Sequence, residues 1–183
     1  MTAKVSVIIP VYNTAAYLRE CLDSVLAQDI DGLEAVCIND GSPDNSIDIL
    51  REYAAKDSRV VVIDKPNEGV AAARNDGIKA ATGEFIAFMD SDDFYPNPSV
   101  LRKLYDAAVG NGVDVSGGHY FRVAKDGTRK EIRFGYKKMD LDVKGFVDYR
   151  DFQFDSCYWC YVFRKSLIRA KLLQNCLPEN LIF

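Results

Sequence analysis

The sequence predicts an α/β fold, a Rossmann-like three-layer sandwich with a mostly parallel sheet, followed by a short β-hairpin and a helical C-terminal segment. Two observations carry this. Short runs rich in β-branched and aromatic residues alternate with stretches whose apolar residues recur at helical spacing, the rhythm of strand–helix–strand crossovers. Each of the first four runs is also followed at once by a polar cluster, so these clusters fall at strand carboxyl ends.

Residues 5–9 form the first strand, closed by Pro10, which has no backbone N–H to donate. Asn13 or Thr14 stands where a helix cap is wanted, ahead of Tyr17, Leu18, Cys21, Leu22, Val25 and Leu26 on one helical face. Residues 35–38 are a second strand, then the turn Asp40-Gly41-Ser42-Pro43, with Asp44 or Asn45 as cap for a helix carrying Ile47, Leu50 and Tyr53. Residues 60–63 are a third strand, and Gly69 opens a helix over 70–81 whose alanines allow close packing on the sheet. Residues 85–89 are wholly apolar, a buried central strand, and Val100, Leu101, Leu104, Tyr105 and Ala108 mark the helix after it. Beyond Gly112 the rhythm breaks: residues 113–115 look like a strand, and Asp126-Gly127 joins 120–123 to 130–134 as a hairpin. From Lys144 onward the chain reads as helical pieces.

With 183 residues and 48% hydrophobic content, the chain can build one ordinary core, so residues 1–183 are read as a single domain. The net charge of -4, with scattered Lys and Arg, gives no footprint for nucleic acid. No apolar run approaches the roughly 20 residues of a membrane span. Cys21, Cys37, Cys157, Cys160 and Cys176 are odd in number and dispersed, which fits reduced, mostly buried thiols of a cytoplasmic protein. Cys157 and Cys160 have CxxC spacing, but no second pair accompanies them and His119 is the only histidine, so a four-ligand zinc site is not expected.

Tyr12-Asn13, Asp40-Gly41-Ser42, Asn67-Glu68-Gly69 and Asp90-Ser91-Asp92-Asp93 follow successive strands. In an open α/β sheet those ends share one edge, where ligands bind. The three carboxylates of the last cluster repel one another, and a divalent cation shared with a phosphorylated ligand resolves that conflict. Nucleotide chemistry suits the rest. Tyr12 offers a ring for a base to stack on, Asp40 can accept a base N–H, and Arg74 can meet a phosphate or a base edge with its planar fork. Asp90 and Asp92 can reach ribose hydroxyls and a cation. Each has a plainer alternative: Tyr12 packed, Asp40 forming the turn before Gly41, Arg74 paired with Asp76 or Glu68.

The ordered set from Val5 through Pro10, Val11, Tyr12 and Asn13, then Asn39-Asp40-Gly41-Ser42, then Asn67-Glu68-Gly69 leading to Ala73-Arg74-Asn75-Asp76-Gly77, then Asp90-Ser91-Asp92-Asp93, resembles the family 2 glycosyltransferases with the A-type fold. The resemblance implies a metal-dependent, inverting transfer of a sugar from a nucleoside diphosphate donor, most often UDP, to a glycan or lipid-linked acceptor in polysaccharide or glycoconjugate synthesis. It implies a donor-binding half over residues 1–111 and part of an acceptor side over 112–183. It places Pro10, Tyr12, Asn13, Asp40, Asn67, Gly69, Arg74, Asp90 and Ser91 around the nucleotide, with Tyr12, Asp40 and Arg74 on the uridine. Asp92 becomes the principal ligand of Mn²⁺ or Mg²⁺, with Asp90 on ribose or metal. Trp159, with Tyr158 and Tyr161 beside it, falls where such enzymes build the acceptor side.

In that family the base that deprotonates the acceptor is an acidic residue just after a stretch like residues 177–183, so the resemblance implies a base beyond Phe183 and an N-terminal donor-binding part of a longer enzyme. Glu179 matches the residue before the base segment, not the base. A peripheral position at the inner face of the membrane would then come from sequence outside this chain. Two other functions compete: a nucleotidyltransferase, which brings a Gly-rich basic loop after its first strand where this chain has Pro10-Val11-Tyr12-Asn13, and a nucleotide-binding module without transfer activity. The GxGxxG of a dehydrogenase is missing.

Overall fold

A computed structural model describes residues 3–124, 126–132 and 158–168. In chain order these form β1 (Val5–Val11), α1 (Ala15–Leu26), β2 (Leu33–Asp40), α2 (Ser46–Lys56), β3 (Val60–Lys65), α3 (Val70–Ala80), β4 (Phe85–Phe88), α4 (Val100–Asn111), β5 (Val115–Gly117), β6 (Tyr120–Val123), β7 (Arg129–Ile132) and β8 (Tyr161–Arg164). Six strands make one sheet in the order β3-β2-β1-β4-β8-β5, and β6 and β7 pair separately as an antiparallel ribbon. The first four are mutually parallel, while β8 runs antiparallel to both β4 and β5.

The three layers follow from side-chain alternation along the strands. Val5, Val7, Ile9 and Val11 of β1, with Ala35, Cys37, Phe85 and Ala87, face a core filled by Leu18, Leu22 and Val25 of α1, Ile49 and Leu50 of α2, and Leu101 and Ala108 of α4. Ile8, Val36, Ile38, Ile86 and Phe88 face the opposite way, onto Ala73 of α3 and Phe163 of β8. Gly77 lets α3 lie this close, because a Cβ there would run into Ile8 and Ile38.

The strand order contains a reversal. The chain steps outward from β1 to β2 to β3, then returns through α3 to place β4 on the other side of β1. At the carboxyl edge Val11 stands level with Asn39, and Asn39 with Asp64, so the loops after β1, β2 and β3 leave the sheet side by side. This is where open α/β sheets carry ligand crevices.

The structure corrects several expectations. β1 does not close at Pro10 but runs through it to Val11, with Pro10 level with Ile38. Within the stretch read as helical from Lys144 onward, the described residues hold a strand, β8, between two 3-10 turns, Tyr158–Cys160 and Lys165–Leu167. The reason is burial on both faces: Val162 joins one core and Phe163 the other, so no alternation betrays the strand. Arg164 pairs with Glu84 and Asp114, and Lys165 reaches the Ala81 carbonyl, fixing β8 beside β4. The expected strand over 113–115 instead begins at Val115. Gly112 ends α4 in the left-handed conformation, and Val113 still donates back to the Ala108 carbonyl. Residues 144–157 and 169–183, with Cys157, Cys176 and Glu179, lie outside the described residues. Cys21, Cys37 and Cys160 are buried, and His119 is exposed between β5 and β6. Among the described residues no helix is long and apolar enough to cross a membrane.

Candidate functional site

The four polar clusters do converge. Pro10 and Val11 from β1 and Tyr12 just after it, Asp40 from β2, Asn67, Gly69, Val70, Ala73 and Arg74 around the start of α3, and Asp90, Ser91 and Asp92 after β4 line one open cleft of about 460 Å³. Asn13, one of the expected nucleotide contacts, is not in that lining. It sits in the turn at φ 55°, and its backbone N–H donates to Ser42 Oγ. Trp159 is not in it either; its ring packs edge-on against Tyr120 and Tyr158.

Each loop is held by bonds to another. Asp40 is almost fully buried and its two carboxylate oxygens accept the backbone N–H groups of Glu68 and Gly69, at 2.9 and 2.8 Å. It therefore ties the end of β2 to the entry of α3, and keeps lone pairs for a further donor, since an ionised carboxylate has about four acceptor sites. Gly69 takes φ 90° at this junction, a backbone angle glycine adopts without strain. Lys65 adds a second tie, bridging Glu68 and Asp76. Glu68 and Asp76, the partners weighed for Arg74 from the sequence, are thus both engaged by Lys65.

Arg74 itself turns to Asp90. Its Nη2 donates to Asp90 Oδ1 at 2.7 Å, and its guanidinium carbon lies 5.0 Å from the ring centroid of Tyr158. Its Nε is buried with no hydrogen-bond partner among the described residues. The loop after β4 is fastened by the Thr14 Oγ1 to Ser91 Oγ hydrogen bond (2.8 Å), which replaces the expected capping role of the Thr14 side chain. The N-terminus of α1 is capped instead from the neighbouring loop, where Asp44 Oδ2 accepts the Ala15 N–H and Oδ1 that of Ser46. Asn45 occupies the cap position of α2 without a capping side-chain bond.

Electrostatically the cleft is acidic on one side. Asp90 is spoken for by Arg74 at one oxygen, Asp92 is exposed, and the Asp93 carboxyl beside them is shifted upward by partial desolvation and by the charges of Asp92 and Asp90. Asp90 and Asp92 are hard oxygen donors suited to Mg²⁺ or Mn²⁺, ions that keep several coordination positions for water or phosphate. Among the described residues no group of three His, Cys, Asp or Glu side chains is gathered for a metal. Tyr12 leaves 52% of its surface exposed at the mouth, a ring face open to stacking.

The sequence reading did not mark Val11, Val70 and Ala73 as lining residues, because small apolar side chains next to a polar cluster carry no signal of their own. Tyr158, which the resemblance sets beside Trp159 on the acceptor side, lies with its ring on Arg74.

Comparison with known proteins converges on one group. The model of glycosyl transferase family 2 matches residues 6–171. The uncharacterized glycosyltransferase EpsJ of Bacillus subtilis (strain 168) is 40% identical over 126 residues, covering 69% of this chain and 36% of its own length. The crystal structure of S. aureus TarS 1-349 in complex with UDP-GlcNAc superposes with TM-score 0.54 at 32% identity, over 61% of this chain and 33% of that one. The mannosyltransferase PcManGT of Pyrobaculum calidifontis, in complex with GDP-Man and Mn²⁺, does so with TM-score 0.56 at 27% identity, over 63% and 35%. The chain thus spans about a third of the length of each.

Proposed function

This chain belongs to glycosyl transferase family 2, and on that premise we propose that its cleft binds a nucleoside diphosphate sugar, a UDP-sugar first of all, for metal-dependent, inverting transfer to a glycan or lipid-linked hydroxyl. The observation that carries this reading is the meeting of four loops, remote in sequence, on one cleft at the sheet's carboxyl edge. Donor sugars bound by structural relatives, UDP-GlcNAc in one and GDP-Man with Mn²⁺ in the other, support it.

The residues take the following parts. Tyr12 stacks on the base, and Asp40 accepts a base N–H with lone pairs left over from its two backbone bonds. Arg74 meets the base edge or the diphosphate, charge-assisted either way. Asn67, Gly69, Ser91 and the Pro10 backbone shape the walls, and Asp90 reaches a ribose hydroxyl. Asp92, with Asp90 beside it, would hold Mn²⁺ or Mg²⁺. When bound, that ion neutralises charge on the departing diphosphate as a Lewis acid. An acceptor hydroxyl attacking the sugar C1 opposite the leaving group gives inversion, and no residue of the cleft is assigned as its base. All the lining residues of this cleft fall within residues 1–111.

Calorimetric titration of UDP, with and without Mn²⁺, into the parent and Asp92→Ala chains tests the proposal. Mn²⁺ is expected to tighten UDP binding by at least about tenfold in the parent, and not in the variant. UDP binding that is absent, or indifferent to both Mn²⁺ and Asp92, overturns it.

A further inference from the structure

Tyr158 lies 84 positions beyond Arg74 in the sequence, in the 3-10 turn leading into β8, yet the two side chains meet. The ring is fixed from its other neighbours: Phe88 of β4 meets it edge-on at 5.6 Å and 87°, and Trp159 at 5.2 Å and 79°. Arg74 is 8% exposed, so its guanidinium lies over that ring largely out of water, where a cation–π contact is strongest. Only Nη2 of Arg74 is engaged by Asp90, and Nε is a buried donor without a partner among the described residues. A buried, unsatisfied N–H is costly, and a native protein that keeps one usually has a ligand or water to meet it.

We propose that Tyr158 is a positioning residue for the donor site: its ring face, braced by Phe88, fixes the plane of the Arg74 guanidinium so that the N–H groups Asp90 leaves unused stay available to the nucleotide. The inference rests on the donor-site reading and extends it to the β8 end of the sheet. A flexible arginine would otherwise spend its other donors on the neighbouring carboxylates or on water. The contact needs the ring face and not the hydroxyl, which sets the test.

UDP with Mn²⁺ is titrated calorimetrically into the parent, Tyr158→Phe, Tyr158→Leu, Arg74→Ala and the Tyr158→Leu/Arg74→Ala double variant, and the Arg74 Nε–Hε resonance is read by ¹⁵N correlation in the samples that retain Arg74. Tyr158→Phe is expected to bind within about twofold of the parent, and Tyr158→Leu roughly three- to tenfold more weakly. The leucine is also expected to shift the Nε–Hε resonance, through loss of the ring current, and to cost nothing further once Arg74 is alanine. Pentafluorophenylalanine at position 158 keeps the shape and inverts the ring quadrupole. It should bind more weakly than Tyr158→Phe, which keeps the test alive if the leucine variant does not fold. Equal affinity for those two aromatic variants, an unmoved Nε–Hε resonance, or a leucine loss undiminished on top of Arg74→Ala overturns the positioning role and leaves the donor reading standing. A parent chain that binds no UDP overturns both.

Discussion

Arg74 Nη2 and Asp90 Oδ1, 2.7 Å apart, join the first turns of α3 to the loop after β4 across the cleft. The arginine side chain is only 10% exposed and the aspartate 37%, so neither charge is fully solvated once its partner is gone. The proposed cation would draw on the same carboxylate, so Arg74 and the metal would share Asp90. Arg74→Ala and Asp90→Asn are each expected to weaken UDP–Mn²⁺ binding by about tenfold or more. The double variant should lose less than the two combined, with a coupling of about 1–2 kcal/mol. A four-point calorimetric cycle measures this, and strictly additive losses would show that the two residues act on binding independently.

The loop that delivers Gly69 depends on a second close approach. Gly41 sits at φ 65°, and a Cβ added there would lie 2.7 Å from the backbone nitrogen of Asn67. Neither the turn nor the neighbouring backbone can give way without moving the loop that Asp40 grips. Gly41→Ala is therefore expected to cost about 1–3 kcal/mol of stability and to weaken UDP binding. Gly110 of α4 has nothing within 4 Å of a built Cβ and no positive φ, so Gly110→Ala is expected to stabilise by about 0.5–1 kcal/mol and leave binding unchanged. Urea denaturation midpoints for the two variants give the comparison.

Much of this arrangement was legible in the chain itself. The first four strands and the convergence of their polar clusters at one sheet edge follow from the alternation of patterns, and nine of the lining residues are named from those clusters and from the family resemblance. What stayed hidden are contacts between segments that the sequence separates. Nothing near Arg74 points to Asp90 rather than Asp76 as its partner. Nothing near Thr14 says that Asp44, in another loop, caps α1. β8 was read as helical because Val162 and Phe163 are buried on opposite faces, which erases the period of two a strand normally shows. Tyr158 could be found only once β8 stood beside β4.

The buried thiols offer a check on the packing of the sheet. Burial pushes the Cys37 thiol up to about 12. Cys21 is also raised well above its ordinary value, by burial first and then by Cys37 and the acidic loop after β4. The thiolate is the reactive form, so at pH 8 neither position is expected to be alkylated by iodoacetamide in the native chain, while both are labelled in urea. Peptide mapping by mass spectrometry reads this directly. Rapid native labelling at Cys37 would mean that β2 is not the interior strand described.

Asp44 supplies a pH dependence of known sign. Burial raises its pKa, but the hydrogen bonds from Ser46 and the Ala15 N–H more than offset this, and the net shift is downward. A carboxyl group whose pKa is lower in the folded than in the unfolded chain adds stability that is complete above the unfolded value, about 3.9, and is lost as pH falls through the folded value. Asp44→Asn keeps a single acceptor oxygen for two N–H groups, so at pH 6 it is expected to be about 1 kcal/mol less stable than the parent. That difference should narrow as pH is lowered below about 4, because the parent carboxylate is then protonated and loses the same bonds. Urea midpoints for the two proteins between pH 6 and pH 2.5 measure the convergence. A gap that stays constant, or widens in acid, would show that the aspartate does not cap α1 through its charge.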